Sequence, residues 1–171
     1  KDKTLKSRSY DISKFHPSIY QFATDKKLMK ILNNIFEEVF FLDYPQIRAD
    51  DFSNSHALPM HQEIYGQMST KLLTLWCPLS HVSKKEGTLA IIEGSHKQGL
   101  LEHEFRLVKS NKYHSVKKKY IKKRKIKYLK LNPGDAVLFD PYLIHGTKNN
   151  LSNKVRWTFV ARYNAISGIK Y

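Results

Sequence analysis

Cysteine is almost missing from this chain. Cys77 is the only one in 171 residues, which excludes an internal disulfide framework and a zinc site built from several thiolates. A reducing, cytoplasmic setting is the simplest expectation. Arginine is also sparse, six of the 30 basic residues, although Arg is the residue best suited to reading bases and gripping phosphates bidentately. The net charge of +15 therefore points to a Lys-rich surface or a small polar or anionic partner, and only weakly to nucleic acid. No apolar run approaches the ~18 residues of a membrane-spanning helix. No signal peptide stands at the start, though the chain opens on Lys1 rather than Met, as a processed or trimmed N-terminus would. Internal repeats and linker-like stretches are missing too, so residues 1–171 read as one domain. Nothing in the sequence bears on oligomeric state.

What is present is globular: 41% hydrophobic and 12% aromatic residues suffice for a core. Residues 1–15 are polar, an arm or first edge element. Leu28, Ile31, Leu32, Ile35 and Phe36 then recur at spacings of three and four. This predicts an amphipathic helix from Asp25 to Phe36, capped by Thr24 or Asp25 and laid against a sheet. Strand composition follows at 38–42, at 46–50 after a Tyr44-Pro45 turn, and at 71–77, 88–92, 127–131, 136–139 and 155–163. In the last of these Arg156, Thr158, Val160 and Arg162 share one face, and Trp157, Phe159, Ala161 and Tyr163 the other. Many short strands after one early helix predict a mostly-β fold, an antiparallel barrel or jelly roll with a flanking N-terminal helix.

The stretch that carries chemistry is Met60-His61-Gln62-Glu63. On a strand, residues two apart share a face, so His61 and Glu63 could offer a metal two ligands. His145 is the candidate third, completing the two-His, one-carboxylate set that leaves positions open on non-haem Fe(II). Alone the pattern is common: eight His and 15 acidic residues make one such pair close to a chance event. What gives it weight is order. Arg48-Ala49-Asp50, the His61 motif, Leu75-Trp76-Cys77-Pro78-Leu79, Gly87-Thr88-Leu89, Glu93-Gly94-Ser95-His96, Gly134-Asp135, His145-Gly146-Thr147 and Arg156 follow one another along about residues 45–163.

In that order the sequence resembles the phytanoyl-CoA dioxygenase family of Fe(II)- and 2-oxoglutarate-dependent oxygenases. The resemblance implies a double-stranded β-helix, or jelly-roll and cupin-like, core over about 38–163, with iron held by His61, Glu63 and His145. It implies that 2-oxoglutarate chelates the iron with O2 beside it, that Arg156 clamps the far carboxylate, and that Thr147, Gln62 and Trp76 help around the co-substrate. The implied reaction is hydroxylation of a small organic metabolite with decarboxylation of 2-oxoglutarate to succinate. Its rivals are desaturation or epimerisation, and a cupin-like binding barrel without turnover. Glu63 departs from the Asp that most of the family carries. His96 is implied to be a structural hydrogen-bonding residue; His56, His81, His103 and His114 read as surface or turn histidines. The basic insert at about 102–127, with its Lys-rich centre 117–125, is too long for a tight hairpin and is expected to pack partly over the barrel mouth and shape the substrate pocket.

Overall fold

The computed structural model of the chain describes residues 8–10, 16–52, 57–64, 67, 69–108 and 111–169. Two helices come first, α1 (Pro17–Ala23) and α2 (Lys26–Phe36). The strands are β1 (Arg8–Tyr10), β2 (Phe40–Asp50), β3 (Leu72–Pro78), β4 (Leu89–Ile91), β5 (His103–Val108), β6 (Asn111–Val116), β7 (Lys127–Tyr128), β8 (Val137–Phe139), β9 (His145–Thr147) and β10 (Arg156–Ala165). They form a five-stranded sheet in the order β1-β2-β10-β3-β8, a three-stranded sheet β7-β4-β9 and a hairpin β5-β6. All pairings are antiparallel. The architecture is the double-stranded β-helix, with the larger and smaller sheets facing each other across the interior.

Alternation along β10 decides what goes where. Phe159, Ala161 and Tyr163 point outward and pack with Leu75 and Cys77 beneath Ala23, Leu32 and Phe36 of the helices. Truncating a side chain buried like Phe159 typically costs about 3–5 kcal/mol. Asp25 caps α2 as expected, its Oδ1 accepting from the Lys27 N–H at 2.9 Å. The apolar stripe of α2 is narrower than its spacing suggests, because Ile31 and Ile35 stay half exposed. The inward face of β10 carries Arg156, Thr158 and Val160. Val160 joins Trp76, Leu89 and Phe139 in a second cluster that bridges the two sheets.

One expectation is corrected here. The chain does not turn at Tyr44-Pro45: β2 runs through it, and the register against β10 slips there, Val160 facing Gln46 and Arg162 facing Asp43. A bulge is where a proline without an N–H can sit inside a strand. The basic insert falls into two parts. Its first half is the hairpin β5-β6, while Tyr120, Ile121 and Ile126 of its second half pack against the buried cluster of Ile92, Leu101, Val116 and Ile144. Lys117 and Lys119 pair with Glu102 at 2.6 and 2.5 Å. The polar arm is described only at residues 8–10, which pair with β2 as an edge strand; the rest of it and His56 lie outside the described residues.

Candidate metal centre

His61 is set beside β9 by the backbone. Its N–H donates to the His145 carbonyl at 2.7 Å, and the His145 N–H donates back at 3.0 Å. This reciprocal pair puts the two side chains next to each other, with ring centroids 4.3 Å apart. Glu63 lies in the turn that follows rather than on a strand, anchored by its N–H on the Pro141 carbonyl at 2.9 Å. Gly146 allows the close approach: a Cβ there would lie 2.6 Å from the Leu58 carbonyl oxygen and 3.1 Å from that of Pro59. The sequence motif thus converges through a β-bridge and a turn, not through strand alternation.

Ligand atoms of His61, Glu63 and His145 lie within 4.8 Å of one another. Glu63 Oε1 is 3.7 Å from His61 Nε2 and 3.5 Å from His145 Nε2. Each imidazole has its Nδ1 against a backbone carbonyl, Pro59 O at 2.7 Å for His61 and Leu143 O at 3.0 Å for His145. With the proton on Nδ1, both Nε2 lone pairs face Glu63, the tautomer and orientation that metal-bound histidines adopt. Burial and the neighbouring His61 push the His145 pKa down from its ordinary value, which keeps it neutral. Burial pushes the Glu63 carboxyl up, but the neighbouring Arg162 guanidinium outweighs it and holds the carboxyl well below its usual range. Two imidazoles and one carboxylate fit a divalent iron ion.

The triad opens on a cavity of about 420 Å³. Trp76, Leu89, Phe139 and Val160 give it an apolar side; Asp43, Gln46, Arg48, Thr74, Thr147 and Arg162 give it a polar one. Trp76 and Thr147 both border the cavity, and the Thr147 hydroxyl also accepts the Leu58 N–H at 3.1 Å. Gln62 borders the cavity as well. Its amide nitrogen donates to the Gly99 and Tyr142 carbonyls at 2.8 and 2.7 Å, and its oxygen accepts the Leu101 N–H at 2.9 Å. These contacts brace the segment that carries His61 and Glu63.

Arg156 faces inward and is almost fully buried, but it does not border the cavity. Its Nη2 donates to Asp50 Oδ2 at 2.6 Å and its Nη1 to the Gly87 carbonyl. Gly87 adopts a positive φ of 79° with no room for a Cβ, 2.6 Å from Lys148 O. The arginines that border the cavity are Arg48 and Arg162. Arg48 also approaches Asp50, at 3.6 Å.

The structure adds positions to those the motifs single out. Arg162 shares the inward face of β10 with Arg156, so strand alternation already marked it. Gln46 alternates along β2 in the same way with Arg48 and Asp50, which the ordered motifs already include. His103 is not a surface residue: its Nε2 accepts the Gln62 N–H at 3.2 Å, while Nδ1 meets Leu101 O at 2.8 Å. Burial lowers its pKa. Lys112, Tyr113 and His114 of β6 border the cavity, whereas the Lys-rich run beyond them does not. Ser95, not the exposed His96, makes the buried contact of its segment, accepting the Ile144 N–H at 2.8 Å.

Comparison with known proteins adds three findings. Residues 14–158 match the family model for phytanoyl-CoA dioxygenase (PhyH). The chain is 26% identical over 175 residues to the peroxisomal phytanoyl-CoA dioxygenase of Homo sapiens, covering 91% of this chain and 52% of that protein. It spans about half the length of that relative. Two solved structures share the fold. EctD from S. alaskensis, with 2-oxoglutarate and 5-hydroxyectoine, superposes with a TM-score of 0.77 at 18% identity, over 96% of this chain and 58% of that one. The epimerase SnoN, in complex with Fe3+, alpha ketoglutarate and nogalamycin RO, gives 0.78 at 14% identity, over 92% and 62%. Iron and 2-oxoglutarate are the cofactor and co-substrate that this donor set and these comparisons support.

Proposed function

The chain belongs to the phytanoyl-CoA dioxygenase family, and on that premise we propose that it is an Fe(II)- and 2-oxoglutarate-dependent dioxygenase that hydroxylates a small organic metabolite. The observation that carries the reading is the convergence of His61 Nε2, Glu63 Oε1 and His145 Nε2 at the wall of a half-polar cavity. When bound, iron with 2-oxoglutarate and O2 supplies oxidising chemistry that no side chain has, 2-oxoglutarate leaving as succinate.

The chain's own residues hold and orient. His61, Glu63 and His145 provide three ligands and stop there, which leaves positions for an oxo-acid and O2. Trp76, Leu89, Phe139 and Val160 keep one side of the cavity dry. For the far carboxylate of 2-oxoglutarate we assign Arg156, with Thr147 and Trp76 along the way. Support comes from polar atoms that have no hydrogen-bond partner among the described residues: Arg156 Nε, Thr158 Oγ1 and Thr74 Oγ1. All three belong to the inward faces of β10 and β3. Buried polar groups left this way are expensive, and a dicarboxylate seated between them would satisfy them. Arg48 stands at the same end as the second guanidinium.

The substrate enters past the hairpin. His103 and Val116, Phe105 and His114, and Leu107 and Lys112 are opposite pairs down β5 and β6. Phe105 and Leu107 are exposed, and the Lys112 ammonium sits 4.5 Å from the Phe105 ring centroid. An apolar body with a polar or anionic group fits this rim. No helix among the described residues is long and apolar enough to cross a membrane, and a reducing compartment such as the cytoplasm suits the lone Cys77.

Succinate formation with Fe(II), ascorbate and 2-oxoglutarate over a metabolite panel tests the reading. One or more compounds should stimulate turnover in the wild type and none in His145→Ala. A product one oxygen heavier than its substrate marks hydroxylation; a product of unchanged mass marks epimerisation, and loss of two hydrogens desaturation. Absence of any Fe(II)-dependent succinate would contradict the enzyme assignment.

A further inference from the structure

We infer that Arg162 is a positioning residue that holds Glu63 as a one-oxygen metal ligand. The inference rests on the metal-site reading of His61, Glu63 and His145 and concerns how that site is kept open. The two oxygens of Glu63 have separate partners. Oε1 faces the histidines at 3.5–3.7 Å. Oε2 receives Arg162 Nε at 2.9 Å, Arg162 Nη2 at 2.9 Å and Gln67 Nε2 at 3.3 Å.

A carboxylate can bind a metal through one oxygen or two. With two hydrogen bonds and a second guanidinium nitrogen in ion-pair contact on Oε2, the second oxygen is committed away from the ion by a charge-assisted contact. Glu63 needs this more than an Asp would. It has one more rotatable bond, and it sits in a turn rather than on a strand. Arg162 is well placed to act as a fixture: it lies on β10 between Asp43 of β2 and Thr74 of β3, paired on both sides within the five-stranded sheet. Its side chain is mostly buried, 16% exposed, so the contact competes little with water. Two-oxygen ligation by Glu63 would take up a position that an oxo-acid and O2 require. Arg162 therefore acts through Glu63 rather than on a substrate.

The test uses the metal alone. Wild type, Arg162→Gln and Arg162→Lys are titrated with Co(II) without co-substrate, by calorimetry and by visible absorption, and the unfolding of each metal-free protein is followed alongside. The wild type should bind one Co(II). Arg162→Gln should bind it about 10–100-fold more weakly with an altered visible spectrum. Arg162→Lys, which keeps the charge but loses the guanidinium, should recover metal-free stability more fully than it recovers the spectrum, and it supplies the answer if Arg162→Gln fails to fold. Variants that bind Co(II) with wild-type affinity and spectrum while losing only stability would overturn the inference and leave the triad standing. Wild-type protein without a one-to-one Co(II) site would overturn the triad and the inference together.

Discussion

Arg156 and Asp50 face each other across β10 and β2, the guanidinium Nη2 donating to Asp50 Oδ2 at 2.6 Å with both residues at least 96% buried. Removing one partner of such a pair strands a charge and typically costs about 3–5 kcal/mol. Arg156→Met should therefore lower the urea midpoint strongly, and Asp50→Asn/Arg156→Met should lose less than the two single losses added. Additive losses would show that the pair is not coupled.

Co-substrate binding separates the arginines. Arg156→Lys keeps a charge but loses the planar fork, and a charge-assisted bond is worth about 1.5–3 kcal/mol. The Kd for 2-oxoglutarate in the Mn(II)-loaded protein should rise by about tenfold or more. An unchanged Kd for Arg156→Lys with a raised one for Arg48→Lys would move the clamp to the arginine that borders the cavity.

The hairpin tip and base do different work. Lys112 and His114 border the cavity, whereas at the base the Val116 N–H and the Ser115 hydroxyl both donate to Met60 O, at 2.9 and 3.2 Å. Lys112→Glu should raise KM for an anionic substrate severalfold and leave 2-oxoglutarate affinity alone. Replacing 104–115 by a short Gly-Ser turn should weaken Co(II) binding as well, because the segment carrying His61 loses a support. Wild-type metal affinity in that deletion would show that the base is dispensable.

Glu38 ties the end of the chain back to the start of β2, accepting the Ser167 N–H at 3.0 Å and hydroxyl at 2.8 Å and pairing with Lys71. Hydrogen bonds from Lys71 and Ser167 pull its pKa from 4.5 down to about 2. A carboxyl depressed on folding stabilises fully above its unfolded pKa, and that contribution is lost as pH falls through the folded value. The wild type should thus lose stability between pH 4.5 and 2 more steeply than Glu38→Gln. Parallel acid profiles for the two proteins would show that the contact contributes nothing.

Burial pushes the Cys77 thiol up to about 11. The thiolate is the reactive form, so Cys77 should stay unmodified by a thiol reagent at pH 8 until the protein unfolds. Rapid native labelling would place the outward face of β3 in solvent.

What was legible in the sequence is what depends on short spacing. Alternation along 155–163 sorted the two faces of β10, and helical spacing with Asp25 marked α2. The ordered motifs named the family and brought His61, Glu63 and His145 together. What escaped depends on partners far along the chain. Pro45 looks like a turn residue until β10 supplies the register slip it occupies. Gln62 is a motif residue whose amide partners, Gly99, Leu101 and Tyr142, only the fold supplies. Arg162 was on the right face, but its meaning comes from Glu63, 99 residues away. His103 likewise gains its role only when β5 folds back over the metal segment.

The central claim is that His61, Glu63 and His145 hold an iron to which 2-oxoglutarate binds. Its most direct measurement is an anaerobic titration of the protein with Fe(II) and 2-oxoglutarate, followed by visible absorption. A charge-transfer band should grow in to one equivalent for the wild type and be missing in His145→Ala and Glu63→Ala, which should still fold. A wild-type titration without that band, or an equal band in either variant, would contradict the account.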